Sequence, residues 1–335
     1  MPRVTIDGDV ADRPASDTLC RQLEAGDVLY FPHTPFDIPE DDRRFLLSQK
    51  QSERFHKNVS YRPKQDRLKG VDANDTADFT RMHEIMRAYS QRAVDFCANF
   101  LPRYADQWRV DYASFRPIEE KGRDVKFNAR NDLIHVDSFP TRPSRGDRLL
   151  RIFTNVTPER ERVWVSAGSF KELAERYARD AGLPSKSNGV NRLSRRTISA
   201  LARLGLPVTD RPEYDRFMLR FHDALKHNRD VQDNPSNETW SFPPDSTWMC
   251  FTDTTSHACL SGQYCLEQTF MVSRASLIDP DAAPIAILER MVGFALAEPP
   301  ASRPALTPTP GPDGAANGSS SSASSSPARG TKSAS

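Results

Sequence analysis

From Trp108 onward the chain is written largely in short strand-like blocks, and these limit the possible folds more than any other feature of the sequence. WRVDYASFRPI, NDLIHVDSF, RLLRIFTNVT and RVWVSAG follow one another, and ETWSFPP, STWMCFTDTTSHACLSG and QYCLEQTFMVS return near the end. Such blocks bury their apolar faces only by assembling, so they demand sheets that cover one another. The elements before them are helical. SDTLCRQLEAGDVLYFP reads as a capped helix, a glycine turn and a strand over Val28–Phe31, and PEDDRRFLLSQ as a second helix. A long amphipathic helix follows from Asp78 to Phe100, with Met82, Ile85, Met86, Tyr89, Ala93 and Phe96 at helical spacing. The stretch from Lys50 to Gly70 reads as basic and irregular. Later helices are predicted at SFKELAERYARDAG and APIAILERMVGFAL, and a helical insert at about 185–229. Helices first, then interrupted strands, predict an α+β fold: a double-stranded β-helix (jelly-roll) core with flanking helices and that insert.

The 335 residues suffice for one large domain. Mean hydropathy is low at -0.63, and part of the deficit lies in the C-terminal stretch. From about Ala297, Pro, Ser, Gly and Ala displace any apolar periodicity, so residues 297–335 are expected to form a disordered tail. The single domain is then 1–296, folded from roughly residue 15. Five cysteines without a C-x-x-C pair fit free thiols in a reducing compartment. The N-terminal MPRVTIDGDVADRP lacks the pattern of a secretory signal, and no apolar run is long enough to span a bilayer, so the expected location is cytoplasmic.

The chemistry centres on His135-Val136-Asp137. In a strand, residues two apart point to one side, so the imidazole and carboxylate converge while Val136 packs behind. A histidine from another strand would complete the facial triad of a non-heme iron oxygenase, with open positions for a 2-oxo acid and O2. H-x-D is weak alone, but here it sits in an apolar block, and His257 lies in another strand-rich segment. The other histidines suit less: His33 follows a turn, His56 lies in the basic stretch, His83 in a helix, and His222 and His227 in the charged insert. Ordinary strand histidines satisfied by their neighbours are the plainer alternative for both. Arg151, Phe153 and Asn155 share one strand face, as do Arg162 and Trp164. Guanidinium groups aimed into a sheet interior need carboxylate or phosphate partners, supplied either by a bound acid or by internal salt bridges.

FRP at 115–117, HVDSFPTRP at 135–143, LRIFTNVTP at 150–158, RVW at 162–164 and SHACLSGQYCLEQTF at 256–270 together resemble the bacterial Kdo 3-hydroxylases, over roughly residues 20–295. The resemblance implies an Fe(II)/2-oxoglutarate/O2-dependent dioxygenase that hydroxylates C3 of 3-deoxy-D-manno-oct-2-ulosonic acid (Kdo) on a lipid A precursor, giving Ko, succinate and CO2. It implies His135, Asp137 and His257 as iron ligands, and Arg116, Arg151, Arg162 and Trp164 as residues needed for activity. Many 2-oxoglutarate oxygenases carry the carboxylate-binding arginine about ten residues past the distal histidine. That neighbourhood holds Gln268 instead. The clamp is therefore expected at Arg151 or Arg162, with Asn155 and Gln268 as hydrogen-bonding helpers.

Two other readings compete. A cupin-like metal-dependent hydrolase or isomerase would use the same ligands with a nearby general base. A nucleic-acid-binding protein would use the basic insert, where ten Lys or Arg face four Asp or Glu. Sparse aromatics there and a net charge of +1 count against it, and no nucleic-acid partner is expected. The same excess suggests a peripheral contact with anionic headgroups at the inner membrane. Charge reversal at Arg192, Arg195 and Arg196 should then weaken liposome binding; unchanged sedimentation with anionic vesicles would remove the idea.

Overall fold

The strand-like blocks pair into two sheets. In a computed structural model, which describes residues 2–7, 16–49, 58–71, 76–185 and 211–298, the strands are β1 (Arg3–Thr5), β2 (Val28–Phe31), β3 (Val59–Arg62), β4 (Arg67–Lys69), β5 (Trp108–Arg116), β6 (Arg148–Asn155), β7 (Arg162–Ser166), β8 (Glu238–Phe242), β9 (Thr247–Phe251), β10 (Ala258–Ser261) and β11 (Cys265–Val272). The larger sheet runs β1-β2-β9-β6-β11-β5-β3-β4, and the smaller β10-β7-β8. All pairs are antiparallel except β1 with β2. The helices are α1 (Ser16–Ala25), α2 (Glu40–Ser48), α3 (Thr76–Phe100), α4 (Pro102–Ala105), α5 (Phe170–Tyr177), α6 (Glu213–His227), α7 (Arg229–Gln232) and α8 (Pro284–Val292). The fold is α+β. The chain divides into two units, Met1–Arg303 and Pro304–Ser335, and every described residue lies in the first. The predicted tail beyond residue 298, and residues 186–210 of the basic insert, lie outside the described residues.

β2, β6, β9 and β11 are buried along their whole length, because both faces of the large sheet are covered. The two faces differ in chemistry. Leu150, Ile152, Met249, Phe251, Leu266 and Phe270 join the core formed with α1, α3 and α6. On the opposite face Phe153, Trp248 and Cys250 meet Trp164, Trp240 and Phe242 of the small sheet. Phe153 lies edge-on to Trp164 at 4.9 Å, and Trp248 stacks on Phe242 at 4.0 Å, so aromatic rings fill part of the space between the sheets. Toward β5 and β11 that same space is lined by charged side chains.

Three expectations need correction. NDLIHVDSF is not a strand: only His135 makes a bridge, to His257. Its other edge is satisfied by side chains instead of a neighbouring strand. The Gln232 amide accepts from Ile134 N at 2.9 Å and donates to Ile134 O at 3.0 Å, and His222 Nδ1 lies 2.8 Å from Val136 O. The basic stretch before Gly70 contains the β3–β4 hairpin, turned by Asp66 in the left-handed region and held by Tyr61 Oη donating to Asp66 at 2.8 Å. β1 precedes the expected start of the fold, where it pairs with β2 and buries Ile6. The described part of the insert is bound into the fold, since Tyr214, Phe217, Met218, Phe221 and Leu225 of α6 are core residues. All five cysteines are buried and free, and no helix of the described residues is long and apolar enough to cross a membrane.

The turn from β9 toward β10 is anchored by charge. Arg148 is wholly buried, stacks over the Phe251 ring at 4.1 Å and pairs with Asp253 at 3.0 Å. Asp253→Ala strands that guanidinium and should cost about 3–5 kcal/mol. Urea unfolding checks this, and a loss below about 1 kcal/mol would show that the pair is replaceable by local relaxation.

Candidate metal centre and its cavity

His135 and His257 face each other across two reciprocal backbone hydrogen bonds: His135 N donates to His257 O at 3.1 Å and His257 N to His135 O at 2.9 Å. This register places both imidazoles on one side, with ring centroids 4.7 Å apart. Asp137 N donates to Thr252 O at 2.8 Å, which carries the carboxylate to the same side. Val136 points away and is buried in the core. One donor atom each from His135, Asp137 and His257 lie within 4.8 Å of one another, all three residues being buried. His135 Nε2 stands 3.6 Å from Asp137 Oδ1.

The orientation of each imidazole is set from behind. His135 Nδ1 lies 2.7 Å from Leu133 O and His257 Nδ1 2.9 Å from Thr255 O. A carbonyl only accepts, so each Nδ1 carries the proton and each Nε2 keeps a lone pair toward the centre. Trp164 stacks on the His257 ring at 4.8 Å and 20°. Two neutral imidazoles and one carboxylate on one side of a cavity form the donor set of a non-heme Fe(II) oxygenase, so a ferrous ion fits these residues.

The cavity measures about 450 Å³, within the range of small-molecule sites. Arg116, Arg151, Arg162, Trp164 and Glu267 line its sheet side, and Leu219, His222, Asp223 and Lys226 of α6 line another. Asn155 and Gln268, expected as helpers, do not reach it. Asn155 Nδ2 donates to Arg160 O, Phe242 O and Pro243 O while its Oδ1 accepts from Thr157, so it braces a turn. Gln268 shares the helix-facing side of β11 with Leu266 and Phe270, and it accepts from Ser90 of α3 at 2.7 Å.

A model of the 3-deoxy-D-manno-oct-2-ulosonic acid (Kdo) hydroxylase family matches residues 7–295. The chain belongs to the Kdo hydroxylase family. It is similar to the solved Kdo hydroxylase KdoO, a non-heme Fe(II) alphaketoglutarate-dependent dioxygenase. The complex of KdoO with alphaketoglutarate and Fe(III) is 28% identical at a TM-score of 0.76, covering 89% of this chain and 98% of that one. Its cobalt(II) and succinate–Fe(III) complexes are each 28% identical at 0.77, covering 90% and 100%. No curated protein sequence matches the chain.

In this family member the charges around the centre are interlocked. Arg151 contacts Asp137 Oδ2 directly and pairs with Glu267 at 2.6 Å; Arg116 Nε donates to Glu267 at 2.8 Å. Burial alone would raise both carboxyls. The Arg151 guanidinium nevertheless holds Asp137 well below its ordinary range, and Arg116 with Arg151 holds Glu267 at about 2. Arg162 is less satisfied. Its Nη2 stands 3.5 Å from Glu120, while Nε and Nη1 are buried without a hydrogen-bond partner.

Glu267 and the α6 residues were absent from the sequence-based site. Glu267 was legible by alternation, lying between Cys265 and Thr269 on the face opposite Leu266 and Phe270. His222 is set aside in the sequence as part of the charged insert; its ring stands 4.7 Å from His135.

Burial, with repulsion from the neighbouring histidines, lowers His135 to about 3. Unfolded, it protonates near about 6.5, so the unfolded chain takes up the proton first and stability falls as pH drops through that window. Glu267, at about 2 in the fold against about 4.3 unfolded, adds a loss of the same sign at lower pH. The denaturation midpoint of the metal-free protein should therefore fall between about pH 7 and pH 5, with a shallower slope in His135→Gln. Equal slopes for the two proteins would contradict this.

Proposed function

We propose that the chain is an Fe(II)- and 2-oxoglutarate-dependent dioxygenase that hydroxylates C3 of Kdo in the lipid A–Kdo inner core, giving Ko. The observation that carries this reading is the His135–Asp137–His257 donor set, which opens onto a cavity lined by Arg116, Arg151 and Arg162. The relatives' complexes with iron, alphaketoglutarate and succinate support it. When bound, the ferrous ion with 2-oxoglutarate and O2 supplies an oxidant able to take hydrogen from an unactivated C–H bond such as the deoxy carbon of Kdo.

The chain's own residues prepare that chemistry. His135, Asp137 and His257 hold the metal, leaving positions for the cosubstrate. Arg151 fixes the Asp137 carboxylate, so its role is to orient a ligand. Arg162 has donors to spare, which makes it the better candidate for the cosubstrate carboxylate. Trp164 keeps the His257 ring in place and excludes water from one side. Glu267 is tied to two arginines and strongly acidified, which makes it a poor general base and weakens the hydrolase alternative. We read the two facing sheets as a double-stranded β-helix, residues 1–296 as the dioxygenase domain and 297–335 as its tail. Lipid-linked Kdo is the proposed substrate, met at the cytoplasmic side of the inner membrane.

Lipopolysaccharide from cells with the gene should carry Kdo heavier by one oxygen atom, and the purified chain should form succinate only with iron and substrate. His135→Ala and Asp137→Ala should abolish both without unfolding the protein, as judged by circular dichroism. Full activity in either variant overturns the assignment.

A further inference from the structure

α6 carries two faces. Tyr214, Phe217, Met218, Phe221 and Leu225 enter the core, while Leu219, His222, Asp223 and Lys226, spaced by three or four residues, form a stripe along the cavity. Lys226 is the anomaly in that stripe. It is only 3% exposed, yet its Nζ donates a single hydrogen bond, to Asn128 O at 2.9 Å. An ammonium group has three protons to place, and among the described residues no carboxylate lies within ion-pair distance of this one. Buried cations are ordinarily paired. The cavity's other buried cations follow that rule: Arg116 and Arg151 share Glu267, and Arg162 has Glu120.

We propose that Lys226 receives the carboxylate of the sugar acid, making the α6 stripe the wall that recognises the substrate. This rests on the reading above, in which the arginines of β5, β6 and β7 serve the cosubstrate and the metal ligand. The family's acceptor is a ulosonic acid, with one carboxylate and many hydroxyls. Lys226 offers two unused N–H donors to the first. Asp223, half-buried one turn earlier, has a carboxylate with no hydrogen bond or ion pair among the described residues, and it can accept from the second. Burial lowers the Lys226 pKa while Asp137, Asp223 and Asp132 oppose that shift and Arg130 adds to it. A bound carboxylate would supply the counter-charge that the protein omits.

The test is calorimetric binding to the full chain loaded with cobalt(II), using Kdo and its C1 carboxamide. Wild type should bind the acid at least about ten-fold more tightly than the amide. Lys226→Met should bind both alike, near the wild-type affinity for the amide, and Lys226→Arg should restore part of the preference. Lys226→Gln serves if the methionine variant does not fold. An undiminished preference in the neutral variants, or equal binding of acid and amide by wild type, overturns the proposal. Acid-selective binding without succinate formation by the iron-loaded wild type would instead sink the hydroxylase reading and leave this one standing.

Discussion

Arg151 stands between two buried carboxylates, Asp137 on the loop before β6 and Glu267 on β11, and the centre depends on that bridge. Each of these charges would cost several kcal/mol if buried alone. Together, and with Arg116 closing the chain on the far side of Glu267, they offset one another. The bridge also fixes direction. Asp137 gives one oxygen to Arg151 and turns the other toward His135, so the same contact that stabilises the carboxylate aims it. Removing Arg151 would therefore leave Asp137 without its cation and free to swing, and Glu267 held by Arg116 alone.

The alternation of the large sheet makes such a network compatible with a packed core. In β6 and β11, Leu150, Ile152, Leu266 and Phe270 face the helices, while Arg151, Phe153, Cys265 and Glu267 face the small sheet and the cavity. A strand buried on both sides can thus carry charge on one face without exposing the hydrophobic core to it. Aromatic rings close part of the space between the sheets, and the remainder is the cavity. α6 contributes to both compartments, with its apolar face in the core and its polar stripe on the cavity wall.

What could be read from the sequence was whatever depends on local periodicity. The spacing of Met82, Ile85, Met86, Tyr89 and Ala93 on α3, the alternation in β6 and β7, and the helix begun at SFKELAERY are local patterns, and the structure realises them. The His135–Val136–Asp137 parity held for the same reason, since extended backbone sends i and i+2 to one side whether or not it joins a ladder. The family resemblance rested on longer blocks, and the family match agrees with it.

Tertiary structure decided what local pattern cannot encode. Residues 131–137 look like a strand but are paired on one edge by Gln232 and His222, whose approach depends on where α6 and α7 pack. Asn155 and Gln268 have the chemistry of binding residues, and their neighbours in space use up that chemistry elsewhere. His222 and Lys226 lie in a charged segment that reads as solvated until the opposite face of α6 is buried and turns them inward. Periodicity determines which side chains share a face. Only packing decides whether that face meets water, a hydrophobic core or a cavity.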